Sequence, residues 1–492
     1  CAPSSQDVSS TTRLNVLFCV MEILHLKKEE NSTVRPYLSV FYDNSVDFLD
    51  ATRLGGNFSH VRNTFALKED FPAAAPSDQL YMELFDCCVQ AFYASMSTIA
   101  NDVTAHLKDF YRSLDEWESL SQGRTAIQLR NIDSEVKTLE EREKVLLSQI
   151  QSFGRLCSWD RLKFLHARRQ VRFFELFKSL LDTFLRIMDG HSVLLAYVPE
   201  YYVHVALDVF HLLRRANLRT VALSYGYDET LKAMMVFLIT QFNNRQSIIN
   251  PEVRDKLLNS IALLLQYREY VQILVDNKVW LMELFVQLIS AYDDNRWISI
   301  TNILTRLFAA TFVGPSNVSV VVDDNMLLLS QFKQICNRHP NLVSLAVHRL
   351  INNMHWSTSE FSQAAHEWAT ISPPPEALSR RMNVLFGLTS ALARLLELFV
   401  SSSWEIISAK KDHLLVPRIL ELVVTLVSHF NPMRSTNVSS IAPFFSSILP
   451  PNSGEDRQCI MWAVSDILRN IANARAGCEL PWTNSYGSEE HS

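Results

Sequence analysis

The stretch NPEVRDKLLNSIALLLQYREYV, Asn250 to Val271, carries instructions for a helix from its start to its exit. The amide oxygen of Asn250 can accept a bond from an orphan N–H of the first turn, and Pro251 follows where a missing N–H costs nothing. Leu257, Ile261, Leu264 and Leu265 then share one face at steps of three and four. A lone helix cannot hide an apolar face of that width, so the stretch predicts a helix packed against neighbours.

The same grammar recurs along the chain. VPEYYVHVALDVFHLLRR (198–215) opens with Pro199 in a first turn, and DDNRWISITNILTRLF (293–308) sets Asp293 and Asp294 before Ile300, Ile303, Leu304 and Leu307. ALKEDFPAAAPSD (66–78), TISPPPEA (370–377) and LPPNSGEDR (449–457) read as joints, with a long helical pattern starting near Gln79. GPSNVSVVVDDN (314–325) is a β-branched run expected to be an extended connector. The segments align at no fixed period. The fold expected is therefore all-α, an irregular α-solenoid or helical-repeat stack rather than a named consensus repeat.

Residues 124–156 differ. Leu129, Ile132, Val136, Leu139, Leu146, Ile150 and Phe153 form a heptad seam interrupted by Glu143. Such a seam can pair with another chain, but its length suits a long hairpin within one chain, which is the expectation adopted. RLKFLHARRQVRFFELFK (161–178) sets Arg161, Lys163, Arg168, Arg169 and Arg172 beside Phe164, Phe173, Phe174 and Phe177. It reads as a phenylalanine core face with a solvated basic face turned toward the acidic EERE run at 140–143. The resulting division is a disordered lead-in (1–13), an N-terminal helical region (14–120), a heptad-patterned helical arm (121–190), a helical-repeat scaffold (191–474) and a disordered tail (475–492).

Composition agrees. Glycine accounts for 11 of 492 residues, about 2% against roughly 7% on average, which disfavours β-rich and dinucleotide-binding folds. The formal net charge of −6 argues against a general nucleic-acid binder. No run of apolar residues reaches membrane-span length; LFGLTSALARLLELF (385–399), with Arg394 and Glu397, reads as a core helix. The eight cysteines lack CxxC spacing and imply free, mostly buried thiols in a reducing compartment. On that reading the sequons at Asn31, Asn57, Asn317 and Asn437 are chance matches. The first residue is Cys1 rather than methionine, so a piece of a longer protein is expected.

Catalytic motifs are missing. Phosphate-binding loops, GxSxG and HExxH do not occur, and His366-Glu367 is followed by WAT. His204 and His211 share a helical face but lack a third ligand nearby in sequence, and the pairs Asp293–Asp294 and Asp323–Asp324 lie in predicted turns. NNMHWSTSEF (352–361) concentrates a histidine, a tryptophan, three hydroxyls and a glutamate. Ser357-Thr358-Ser359-Glu360 matches a capping box, with Trp356 expected to staple onto Phe361, so a joint between two helices is predicted there. No catalytic, cofactor-binding or metal-binding residue is assigned.

HRLINNMHWSTSEF (348–361) nevertheless resembles a segment of the RING finger protein 123 family of E3 ubiquitin ligases. YVPEYYVHVALDVFHLLRR (197–215), LLNSIALLLQYREYV (257–271), DDNRWISITNILTRLF (293–308) and LFGLTSALARLLELF (385–399) are similar in the same order, so the likeness covers roughly residues 190–430. The resemblance implies a cytoplasmic, multidomain ligase in which a helical scaffold lies between a SPRY domain and a C-terminal RING. A RING holds zinc through paired Cys and His ligands, and beyond residue 430 only Cys459, Cys478 and His491 occur. A SPRY pattern is also missing. The expected role is the helical scaffold of a RING-type ligase, positioning substrate or adaptor while the conjugating enzyme meets a RING outside this chain. The chain alone is expected to be inactive, with no cofactor, nucleic acid or membrane partner. The alternative is a non-enzymatic armadillo/HEAT-like adaptor.

Overall fold

The computed structural model describes residues 15–24, 40–43, 52–65, 76–128, 133–164, 166–190, 192–215, 227–292, 296–308, 325–370, 376–409, 414–430, 460–461, 463–469 and 471. The chain is all-α, a stack of helices with one long helical hairpin, and among the described residues the only β pairing is the isolated bridges of Arg53 with Gly56 and Pro199. The predicted connector before Asn325, the joints at 371–375 and 449–457, and both aspartate pairs lie outside the described residues. Two compact units are formed: Cys1–Phe237 with Asn244–Arg254, and Leu238–Asn243 with Asp255–Ser492.

The first unit contains α1 (Asn15–Leu24), α2 (Val40–Asp43), α3 (Phe58–Thr64), α4 (Pro76–Gln128), α5 (Asp133–Phe164), α6 (Ala167–Gly190), a 3-10 turn (Ser192–Tyr197) and α7 (Glu200–Arg215). Its α4 begins at Pro76, inside the expected linker, because proline suits a first helical turn. The heptad seam closes within the chain, as expected. Helices α4 and α5 pack along each other, with the α5 side of the seam at Leu146 buried and Ile150 and Phe153 half-buried. His106 meets Asp160 and Phe110 meets Gly154, so the two helices run antiparallel. The hairpin thus draws its first helix from residue 76 onward, while 167–190 form a separate helix. Leu129, Ile132 and the side chain of Val136 fall outside the described set.

The stretch 161–178 is divided between the end of α5, where the side chain of Phe164 falls outside the described set, and helix α6, on which Phe173, Phe174 and Phe177 of the predicted core face are buried. The predicted partner of its basic face is corrected. Arg172 and Arg168 pair with Glu22 of α1 at 2.9 and 3.2 Å, rather than with the run at 140–143. A chain neighbour one helix back is less accessible than a helix docked on the same face, and Arg169 additionally covers the Phe18 ring of α1 at 4.7 Å.

Later helices are α8 (Tyr227–Gln241), α9 (Pro251–Leu264), α10 (Arg268–Asp276), α11 (Lys278–Ser290), α12 (Trp297–Leu307), α13 (Asn325–Arg338), α14 (Pro340–Thr370), α15 (Glu376–Ile407) and α16 (Leu415–Phe430). Asn250 caps α9 as read, its Oδ1 accepting from the Glu252 N–H at 3.0 Å. Leu257, Ile261, Leu264 and Leu265 are all buried, as are Ile300, Ile303, Leu304 and Leu307 of α12. At about 1.5–3 kcal/mol for each fully buried large apolar side chain, those faces hold the second unit's stack. Helix α15 is long and apolar enough to cross a membrane, yet 67% of its apolar window is buried within the protein. Arg394 and Glu397 are buried with it, in keeping with a core helix.

Candidate functional site

The first unit concentrates its polar chemistry around one carboxylate. Asp86 lies on the face of α4 that packs against α7, among buried Phe85, Val89 and Phe92, and is itself 2% exposed. From the first turn of α7, the Tyr201 hydroxyl donates to Asp86 Oδ1 at 2.5 Å and the Tyr202 hydroxyl at 2.9 Å. Gln90, one turn along α4, donates to Oδ2 at 2.7 Å. Arg53, 1% exposed, adds a positive field, with its guanidinium 5.4 Å over the Phe58 ring.

Backbone bonds fix Arg53 there. Leu54 donates to the Val198 carbonyl, Gly55 to Ala196, Glu200 to Thr52 and Ile249 to Leu54, each within 2.8–3.0 Å. Gly55 permits this approach, since a Cβ would stand 2.8 Å from that of Ala196, and Gly56 closes the turn at φ 104°. Burial pushes the Asp86 carboxyl up, against the opposing pull of both phenols, Arg53 and Gln90. Burial and the adjacent carboxylate push both phenols well above their ordinary range. Each phenolic proton is committed to Asp86, and the cluster is closed to solvent. It works as a bolt between α4, α7 and the 52–57 turn. Sequence reading missed it, and its one local trace is an aspartate within the apolar run LFDCCV (84–89).

The predicted joint at 352–361 is corrected. Helix α14 runs unbroken from Pro340 to Thr370. Ser357 caps nothing: it is fully buried, and its hydroxyl lies 2.7 Å from Thr389 Oγ1 on α15. Thr389 gives its own proton to the Leu385 carbonyl, leaving Ser357 as the donor between the helices. Glu360 accepts from Arg381 of α15 at 2.6 Å instead of reaching back to a cap. Trp356 packs edge-on against Trp297 with ring centroids 5.9 Å apart, not onto Phe361, and is 49% exposed. Phe361 meets Phe386. The stretch is half interhelical glue and half exposed aromatic surface.

Other candidate residues are scattered. His204 stacks on Tyr93, and among the described residues no group of three His, Cys, Asp or Glu side chains could hold a metal ion. The described cysteines are free, but only Cys88 and Cys336 are buried; Cys157 is half-buried, while Cys19 and Cys87 are exposed. Burial pushes the thiols of Cys88 and Cys336 up to about 12 and raises those of Cys87 and Cys157. None of these four is an activated nucleophile.

Residues 7–295, more than half the chain, match the family model of the ubiquitin elongating factor core. The chain belongs to that family. Residues 346–479 match a second model, the RNF123-like TPR repeat, which includes the Trp356 surface, Ser357 and α15. The E3 ubiquitin-protein ligase RKP of Arabidopsis thaliana is 26% identical over 352 residues, covering 70% of this chain and 27% of that protein. The chain therefore spans about a quarter of the length of this relative. As a member of the ubiquitin elongating factor core family, it is a helical region of the E3 ligase kind, as the resemblance at 190–430 implied. The elongating factor core match reaches back to residue 7, ahead of the region where a likeness was read from the sequence.

Proposed function

We propose that this chain is the helical scaffold of a RING-type E3 ubiquitin ligase, holding a substrate or adaptor while a RING outside the chain engages the charged conjugating enzyme. The observation that carries this reading is the succession of a ubiquitin elongating factor core and an RNF123-like repeat region on one polypeptide. A scaffold needs no nucleophile, and the raised thiols of Cys87, Cys88, Cys157 and Cys336 fit a part that positions rather than one that carries ubiquitin. Trp356, exposed and braced by Trp297, is the aromatic anchor offered to a protein partner. The ligase works in the cytoplasm, this part binds no cofactor, nucleic acid or membrane, and zinc belongs to the RING.

Two measurements test this. The purified chain leaves ubiquitin on charged conjugating enzymes at the background rate; clear discharge overturns the scaffold reading. In the full-length ligase, Trp356→Ala lowers substrate ubiquitylation about tenfold, the scale of a lost hot spot, while autonomous discharge by the RING is unchanged. Equal loss of both would assign Trp356 to the fold and not to the partner.

A further inference from the structure

Helix α5 carries a second row of side chains, one residue ahead of the seam that faces α4. Val145, Gln149, Ser152, Leu156 and Trp159 recur at steps of four and three, and every one of them is exposed. Trp159 is 62% and Val145 57% exposed. Heptad spacing on an exposed face is the pattern of a helix that meets another helix. The principal packing of α5 in the first unit is against α4, which uses the inner row instead.

The row and its exposed flanks Ser148 and Arg155 fall in pairs about Ser152. Gln149 and Arg155 stand three positions either side, Ser148 and Leu156 four, and Val145 and Trp159 seven. Laid antiparallel on an identical helix, the row sets valine against tryptophan, serine against leucine and amide against guanidinium. No like charges are opposed at these positions. A parallel pairing would instead stack Arg155 on Arg155. We propose that this face docks onto the same face of a second copy of the chain, antiparallel about Ser152, as an isologous two-fold contact. The paired length from 145 to 159 is about 21 Å at 1.5 Å per residue.

The test uses the full 492-residue chain in sedimentation velocity from about 1 to 100 µM, a span that reads a micromolar dissociation constant. A concentration-dependent dimer is expected. Trp159→Glu and Val145→Glu each return it to monomer with unchanged circular dichroism, whereas Tyr111→Glu, on an exposed position of α4, leaves it intact. Under mild oxidation Ser152→Cys, on the two-fold axis, gives a disulfide-linked dimer above the background of the parent chain, and Gln151→Cys does not. A monomer at every concentration overturns the proposal. So does a dimer that survives both glutamate substitutions, or equal crosslinking of the two cysteine variants.

Discussion

Asn250–Val271 and Asn352–Phe361 carry helix-start signals of similar clarity, yet a helix starts only at the first. In α9 the cap, the proline and the apolar period agree, and the structure keeps all three: Asn250 bonds the Glu252 amide, and Leu257 and Ile261 are fully buried. In α14 the S-x-x-E pattern competes with a longer apolar period that runs through Val347, Leu350, Ile351, Met354, Phe361 and Ala365, all buried. There the hydroxyl of Ser357 finds Thr389 across a helix pair. A serine able to cap is equally able to bridge, and local sequence does not say which acceptor it meets.

The sharpest way to break that comparison is Thr358→Pro. In an unbroken α14 it removes an interior N–H and clashes with the preceding turn, a loss of about 3 kcal/mol or more in denaturant unfolding. Were Ser357 a cap, residue 358 would be the first helical position and proline would be tolerated there; unchanged stability would restore the joint.

A second test concerns another polar group that the apolar pattern conceals. Burial pushes the Glu397 carboxyl up to about 7, Arg394 pulls it down and Asp466 raises it. Because the folded value lies above the unfolded one, the contribution to stability is complete at low pH and is lost as pH rises toward and through 7. Glu397→Gln should therefore stabilise the protein at pH 8 by on the order of 3 kcal/mol and change little at pH 4. A pH-independent difference between the two proteins would contradict a carboxyl raised by burial.

Smaller effects sharpen the contrast further. Ser357→Ala deletes the bond to Thr389 and should cost about 1.5 kcal/mol, with Thr389→Val adding little to it in a double-mutant cycle. Full additivity would mean that the two hydroxyls act apart. Asn250→Ala should cost about 1 kcal/mol or more, because the Asn250 amide also donates to Glu200 at 3.1 Å, and Asn250→Ser should recover only the part that belongs to the cap.

The polar bolt at Asp86 was the least legible feature. Tyr201 and Tyr202 are consecutive residues of an apolar helix, Arg53 lies far back in the chain, and no spacing rule joins them to Asp86. The aromatic pair was half legible: Trp356 stood out, but its partner Trp297 lies 59 positions away on another helix, at a centroid distance of 5.9 Å. The hairpin could be read because its seam is written into consecutive turns of one helix.

By itself the sequence determined the elements whose signals are local: the all-α class, the capped start of α9, the buried faces of α9 and α12, and the seam of α5. The periods of three and four are properties of one helix, and an apolar face must be covered whatever covers it. Tertiary structure alone decided which helix did the covering, and so where polar side chains found partners. Glu22 rather than the 140–143 run took up the α6 arginines, Ser357 joined α14 to α15, and Asp86 gathered two phenols and an arginine out of water. A buried polar group must be satisfied by whatever is nearest in space, and nearness in space between distant segments is not written in any local stretch of chain.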